Sequence, residues 1–224
     1  MTTVKAVLFD LDGTLVDTAP DFVFVVNEQR ARHGLAALDD SGIRNAVSNG
    51  ARALIQLSFG LSAEEEGFAP LLDELLELYL SELAVRSCLF DGMEAVLSEL
   101  ESRHIPWGIV TNKPRRFTQP LLKGLGLDRR CAVTVCPDDV TNTKPDPEPL
   151  FLACSKIKVT PQSTVYVGDH ARDIQAGKNA GMRTIAAAYG YISSPEEARQ
   201  WHADHSVNHP LEITDYLPEE SSHV

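Results

Sequence analysis

Val4-Lys5-Ala6-Val7-Leu8-Phe9-Asp10-Leu11-Asp12-Gly13-Thr14-Leu15 is the stretch on which the reading of this chain turns. An apolar run interrupted only by Lys5 predicts a buried strand, and it ends on two carboxylates two residues apart. Open α/β sheets bind their ligands at the carboxyl ends of strands. Alternate residues of an extended chain point to the same side, so Asp10 and Asp12 share one site. Like charges that close repel unless a cation lies between them. Oxygen donors alone suit a hard divalent ion such as Mg2+. Gly13 permits a sharp turn, and Thr14 offers a hydroxyl to an oxyanion. A solvated acidic turn uses the same residue types, so the stretch needs support from elsewhere in the chain.

That support begins with periodicity. After Leu15 the pattern is helical for about seventy residues. Asp17 or Thr18 is placed to cap a helix with Pro20 in its first turn. His33-Gly34-Leu35 breaks it, and Ile43, Val47, Ala51, Leu54, Ile55 and Leu57 then recur at helical spacing. Between Ala63 and Ala84 a wide apolar stripe predicts one further helix whose acids form a solvated face. No strand is predicted between residues 16 and 84. Beyond Gly92, strands predicted at 106–110, 133–135, 164–167 and 184–188 alternate with helices, which implies a parallel sheet covered on both faces. The tail from Pro195 carries one short predicted helix around Glu196 to Trp201.

The predicted fold is therefore α/β: a doubly wound, Rossmann-like parallel sheet with an inserted all-helical unit. Residues 1–15 and 85–224 make the core, and residues 16–84 the insert. A formal charge of −12 over 224 residues speaks against nonspecific binding to nucleic acid or an anionic membrane. Four cysteines without a Cys-x-x-Cys pair fit a reduced, cytoplasmic chain. The first residues run into a strand without a basic flank and long apolar stretch, so neither a secretory signal nor a membrane span is expected.

Further polar residues fall where the predicted strands end. Thr111-Asn112-Lys113-Pro114 follows Val110, with a hydroxyl and an amide suited to phosphate oxygens. Thr143-Lys144-Pro145-Asp146-Pro147 sets a lysine in a proline-rich loop that opens a helix. Gly168-Asp169-His170-Ala171-Arg172-Asp173 places two carboxylates four apart at a strand end and an incipient helix.

In this order, the four segments resemble the motifs of the haloacid dehalogenase superfamily in its phosphatase form. The resemblance spans residues 9 to 174. It implies that Asp10 is a nucleophile carried through an aspartyl-phosphate and that Asp12 is the general acid and base. Dehalogenases proper lack the second aspartate, so its presence implies phosphoryl transfer. Thr111 and the Asn112 backbone would bind the transferring phosphoryl oxygens, and Lys144 would offset the charge of Asp10 and the phosphate. Asp169 would join Asp10 and the Asp12 carbonyl on Mg2+, with Asp173 orienting the metal shell or Lys144. His170 departs from the small residue more usual at its position, and is expected to alter the pocket mouth.

By the same resemblance, the insert is a helical cap that contacts the part of the substrate other than phosphate. Ser48-Asn49-Gly50-Ala51-Arg52 is its expected recognition turn, and Arg52, or Arg44 one helix earlier, would pair with a substrate carboxylate. This turn and Gly108 to Pro114 look most like the phosphoglycolate phosphatase branch. A near relative in that branch acts on N-acetylmuramic acid 6-phosphate. The expected partner is thus a small, carboxylate-bearing phosphorylated metabolite, with the protein a monomer or weak homodimer. The alternative of the same fold is a phosphomutase, which returns the phosphoryl group to a second hydroxyl.

Overall fold

The computed structural model describes residues 3–192 and 194–218. Strands β1 (Ala6–Phe9), β4 (Trp107–Val110), β5 (Val133–Val135), β6 (Thr164–Gly168), β7 (Arg183–Ala187) and β8 (His205–Val207) form one sheet in the order β5-β4-β1-β6-β7-β8. Every neighbouring pair is parallel, as expected when helices join successive strands. β1 lies between β4 and β6, with Phe9 level with both Ile109 and Val167. The ends of these three strands, which lead into Asp10, Thr111 and Asp169, therefore lie side by side.

Alternation within β1 builds the two faces of the core. Val7 and Phe9 pack with α5 (Met93–Ser102) and α6 (Arg115–Gly124) on one side. Leu8 packs with α7 (Glu148–Ile157) and α8 (Ala171–Asn179) on the other. All three side chains are fully buried, and each contributes about 1.5–3 kcal/mol by leaving water. The doubly wound α/β arrangement predicted from periodicity is the one observed.

Between β2 (Val16–Asp17) and β3 (Cys88–Leu89) the chain forms α1 (Ala19–Arg32), α2 (Asp40–Val47), α3 (Gly50–Phe59) and α4 (Phe68–Glu82). These helices enclose their own cluster, including Phe22, Val26, Ile43, Leu54, Leu75 and Tyr79. Asp39 caps α2 by accepting from the Ser41 amide, and Gly60 ends α3 in the left-handed conformation that glycine adopts without strain. The outgoing β2 and returning β3 pair antiparallel. Buried Asp21 ties the same junction together by accepting from the Ala84 and Arg86 amides and the Ser87 hydroxyl.

Local expectations are corrected at four places. Val16–Asp17 is a strand, too short for periodicity to register. The helix expected from Ala63 begins at Phe68, because Gly67 stands in a left-handed turn (φ +93°) just before it. Of the two residues expected to cap α1, Thr18 occupies the cap position without a side-chain cap, and Asp17 accepts from the Ala19 amide at 3.3 Å. The tail holds more than α9 (Pro195–Gln200), since β8 extends the sheet and a 3-10 turn follows at Pro210–Tyr216.

Candidate active site

Asp10 leaves the end of β1 with 6% of its surface exposed. Its Oδ1 accepts from the Leu11 amide at 2.7 Å and lies 2.9 Å from Lys144 Nζ. Lys144 Nζ is also 2.7 Å from Asp173 Oδ1, and it donates to the Val110 carbonyl and the Tyr166 hydroxyl. Burial disfavours its charge, but Asp10 and then Asp173 outweigh burial and raise its pKa above the ordinary lysine value. A buried lysine with two carboxylates is a fixed positive pole.

Asp169, at the end of β6, accepts from the Thr14 hydroxyl at 3.1 Å, the Ser48 hydroxyl at 3.3 Å and the Tyr191 amide at 3.0 Å. Its setting requires glycine nearby. A Cβ at Gly13 would fall 2.1 Å from Asp169 Oδ2, and one at Gly190 would fall 2.4 Å from Asp169 Cβ. Burial, then the charges of Asp10 and Asp173, push Asp169 up to about 8. Burial likewise raises Asp10 to about 6, against the opposing charge of Lys144.

Asp10, Asp169 and Asp173 each offer a carboxylate oxygen within 4.8 Å of the other two. Buried acids in that number repel, and the repulsion adds to burial in raising Asp10 and Asp169. Hard oxygen donors with an excess of negative charge fit a divalent cation such as Mg2+. Asp173 fits less directly than the other two, because Lys144 holds its Oδ1 and the His170 amide donates to its Oδ2.

Of the three, Asp10 lines a cleft of about 450 Å³ between the sheet ends and the helices. Asp10, Asp12, Thr111 and Asn112 line it from below, and Ser48, Asn49, Gly50 and Arg52 from the α2–α3 turn. Phe22, Val47, Leu72, Leu76, Tyr79 and Phe117 supply apolar walls. The Asn112 amide donates to the Lys144 carbonyl at 3.1 Å, which joins the loops after β4 and β5. All these sequence-predicted residues meet at one place.

Others go elsewhere. Thr14, expected to face an oxyanion, is fully buried and commits its hydroxyl to Asp169. Arg44 does not line this cleft. It spans both oxygens of Asp17 at 2.9 and 3.0 Å and lies 4.8 Å over the Tyr191 ring, beside a separate surface hollow. His170 is not at the cleft mouth either. It caps α8 by accepting from the Arg172 amide and stacks on Trp201. Burial, then the Arg172 charge, lowers its pKa to about 4.

Lys113, Tyr166, Arg172 and Tyr191 also build the site, although no motif in the sequence gives them a role. Lys113 stands within a quoted motif, yet nothing in its spacing shows that its ammonium reaches Asp12 at 2.9 Å. Tyr166 belongs to an apolar strand, and only the sheet order brings its hydroxyl to Lys144. Arg172 reaches back to the Ser48 carbonyl. Tyr191 supports Asp169 through its amide and Asp17 through its hydroxyl.

Residues 7–187 match the family described as haloacid dehalogenase-like hydrolases. An N-acetylmuramic acid 6-phosphate phosphatase of Pseudomonas putida is 49% identical over 210 residues, covering 94% of each chain. A phosphoglycolate phosphatase of Xanthomonas campestris is 41% identical over 211 residues, covering 93% of this chain and 94% of that one. A crystal structure described as a predicted phosphoglycolate phosphatase, from Haemophilus somnus, superposes with a TM-score of 0.84 at 26% identity, covering 96% and 99%. The family expected from the four motifs is therefore the one found: this chain belongs to the haloacid dehalogenase-like hydrolases, among relatives named as phosphatases.

Proposed function

We propose that the protein is a Mg2+-dependent phosphomonoester hydrolase that works through an aspartyl-phosphate on Asp10. The observation that carries this reading is the position of Asp10, buried at the centre of the sheet edge and open to the cleft, with Lys144 at 2.9 Å and Asp169 in the same carboxylate cluster. Among the described residues, hydrogen bonds fall only on its Oδ1, which leaves Oδ2 to attack phosphorus in line. Phosphoryl transfer depends mainly on positioning and charge neutralisation. Lys144, the Thr111 hydroxyl and the backbone after β4 are preformed for that purpose. Asp10 and Asp169, with the Asp12 carbonyl, would hold Mg2+, and Asp173 would steady Lys144 from behind. When bound, the metal neutralises phosphate charge and orients the phosphoryl group.

In the first half-reaction the P–O ester bond breaks as the Asp10 Oδ–P bond forms, and Asp12 gives its proton to the departing oxygen. In the second, Asp12 takes a proton from water, the water oxygen bonds to phosphorus, and Asp10 leaves as a free carboxylate with inorganic phosphate. Helices α1–α4 act as the cap that shields this chemistry, and the Ser48 to Arg52 turn reads the rest of the substrate.

The size and lining of the cleft support a choice of substrate. A two-carbon phosphoglycolate would leave most of 450 Å³ and its apolar walls uncovered. A sugar phosphate with acyl and carboxylate substituents uses both the walls and Arg52. This favours N-acetylmuramic acid 6-phosphate over 2-phosphoglycolate, as does the higher identity to the relative named for it. Phosphate release from purified protein with Mg2+, on a panel holding both compounds, tests the reading. A clear preference for phosphoglycolate reverses the substrate choice. Transfer that depends on a bisphosphate primer, without net phosphate release, makes the protein a mutase instead.

A further inference from the structure

We propose that Lys113 is a positioning residue: it clamps one oxygen of Asp12 and so aims the other at the leaving group, and it does this through aromatic residues of α1 and α4. The inference rests on the reading of Asp12 as the acid and base of a phosphatase.

The Lys113 side chain is only 7% exposed, although it lies at the cleft. A lysine removed from water to that degree is unfavourable unless its ammonium is fully engaged. Here Nζ lies 2.9 Å from Asp12 Oδ1 and 2.7 Å from the Tyr79 hydroxyl oxygen, to which it donates. It sits 4.6 Å over the Tyr79 ring and 5.1 Å over the Phe22 ring, close enough for cation–π attraction. Those two rings are themselves stacked at 3.9 Å. The ammonium thus has a defined seat, with a carboxylate on one side and two aromatic faces around it.

The geometry at Asp12 is equally specific. Oδ1 accepts from Lys113 and, at 2.6 Å, from the Thr18 hydroxyl. Among the described residues no hydrogen bond falls on Oδ2. Two donors on one oxygen stop the carboxyl from turning about its Cβ–Cγ bond, and the other oxygen is left without a donor on a residue that lines the cleft. Thr18 and Phe22 come from the start of α1, and Tyr79 comes from α4. Asp12 and Lys113 come from the loops after β1 and β4. The clamp is complete only while the helices are seated on the sheet edge. Proton transfer is thereby linked to the seating of the helices, without any residue of α1–α4 touching phosphorus.

The test compares two leaving groups. p-Nitrophenolate departs without a proton, whereas an alkoxide needs one from Asp12. kcat/KM covers only the steps up to departure of the alcohol, so a defect in aiming Asp12 lowers it for the alkyl ester selectively. Lys113→Met keeps the length of the stem in the aromatic seat, and Tyr79→Phe keeps both the ring and the lysine charge. Each is assayed, with Mg2+ present, on p-nitrophenyl phosphate and on the alkyl phosphate that the substrate panel prefers, N-acetylmuramic acid 6-phosphate or 2-phosphoglycolate. Lys113→Met is expected to lower kcat/KM at least tenfold more for the alkyl ester. Tyr79→Phe is expected to change the same ratio about threefold in the same direction. In both variants kcat falls on both esters, because water attack on the aspartyl-phosphate also uses Asp12. Equal losses of kcat/KM on both esters, as direct anion binding or a purely structural role for Lys113 would produce, overturn the assignment. An unchanged ratio in Tyr79→Phe does so even if Lys113→Met fails to fold. Wild-type protein that hydrolyses neither ester overturns the phosphatase reading and this assignment together; an active wild type with an unshifted ratio overturns this assignment alone.

Discussion

The Ser48 hydroxyl, on the turn between α2 and α3, donates to Asp169 Oδ2 at 3.3 Å. One side chain thus links the turn expected to read the substrate with a carboxylate expected to hold the metal. Arg172 reinforces the link from α8 by donating to the Ser48 carbonyl. Ser48→Ala deletes only the hydroxyl. A long, part-buried hydrogen bond of this kind contributes about 1 kcal/mol, so kcat/KM is expected to fall roughly three- to tenfold with the melting temperature little changed. Wild-type kinetics in this variant would mean that the turn is seated by its backbone contacts alone.

Asp10→Asn removes the charge of the oxygen proposed to attack phosphorus and leaves the shape intact. Turnover is expected to vanish while thermal unfolding stays cooperative, because the cluster loses an acid that burial already disfavours. Residual activity within about tenfold of wild type, some 1.4 kcal/mol of barrier, would mean that a different group attacks phosphorus.

What was legible in the sequence followed from long-range regularity. Strand runs such as Val165 to Val167 and helices closed by Gly126 or Gly181 carry strong local signals, and the parallel α/β sheet follows from their alternation. β8 gave no such signal, because His205-Ser206-Val207 is short, half polar and paired on one side only. The carboxylates and Lys144 were legible because each stands at a predicted strand or helix end. The direction of a side chain was not. Arg44 and Arg52 both lie on helices of the insert, yet α2 turns Arg44 toward Asp17 while α3 brings Arg52 to the cleft. Thr14 and Lys113 show the same limit, since each faces a partner far away in sequence.

Chelation tests the carboxylate cluster. EDTA is expected to abolish activity and Mg2+ to restore it. Ca2+ is expected to restore little, because its longer bonds and higher coordination number disturb in-line geometry. Phosphate release that continues undiminished in excess chelator would remove the metal from the reaction.

The same cluster sets a pH dependence of stability in the metal-free protein. Asp10 is raised to about 6 and Asp169 to about 8, whereas unfolded carboxyls titrate near ~4. Between those values the folded chain holds more protons than the unfolded one. The stability these groups contribute is full below about pH 4 and is lost as pH rises through 6 and then 8. His170, lowered to about 4, acts in the opposite sense, but its contribution is level above about pH 6.5. The window from pH 6.5 to 8 therefore isolates the carboxyls, chiefly Asp169. Melting temperature without metal is expected to fall across it, and Mg2+ to stabilise more at pH 8 than at pH 6, since binding requires ionised ligands. A metal-free melting temperature that climbs steadily over the window contradicts this account.

A change at Arg52 tests recognition apart from chemistry. The residue lines the cleft from the first turn of α3, an element separate from the loop that carries Thr111 and Asn112. A guanidinium there matches a carboxylate with two parallel hydrogen bonds, and p-nitrophenyl phosphate has no carboxylate to offer. Arg52→Ala is therefore expected to lower kcat/KM for N-acetylmuramic acid 6-phosphate by about 1.5–3 kcal/mol, the worth of a charged hydrogen bond. Turnover of p-nitrophenyl phosphate should change little. Steady-state kinetics on the two substrates decide the matter. Equal losses on both would put Arg52 in the phosphate-handling or structural machinery, and no loss on either would leave the carboxylate to be read by another cation of the cleft wall, of which Arg116 is the next to change.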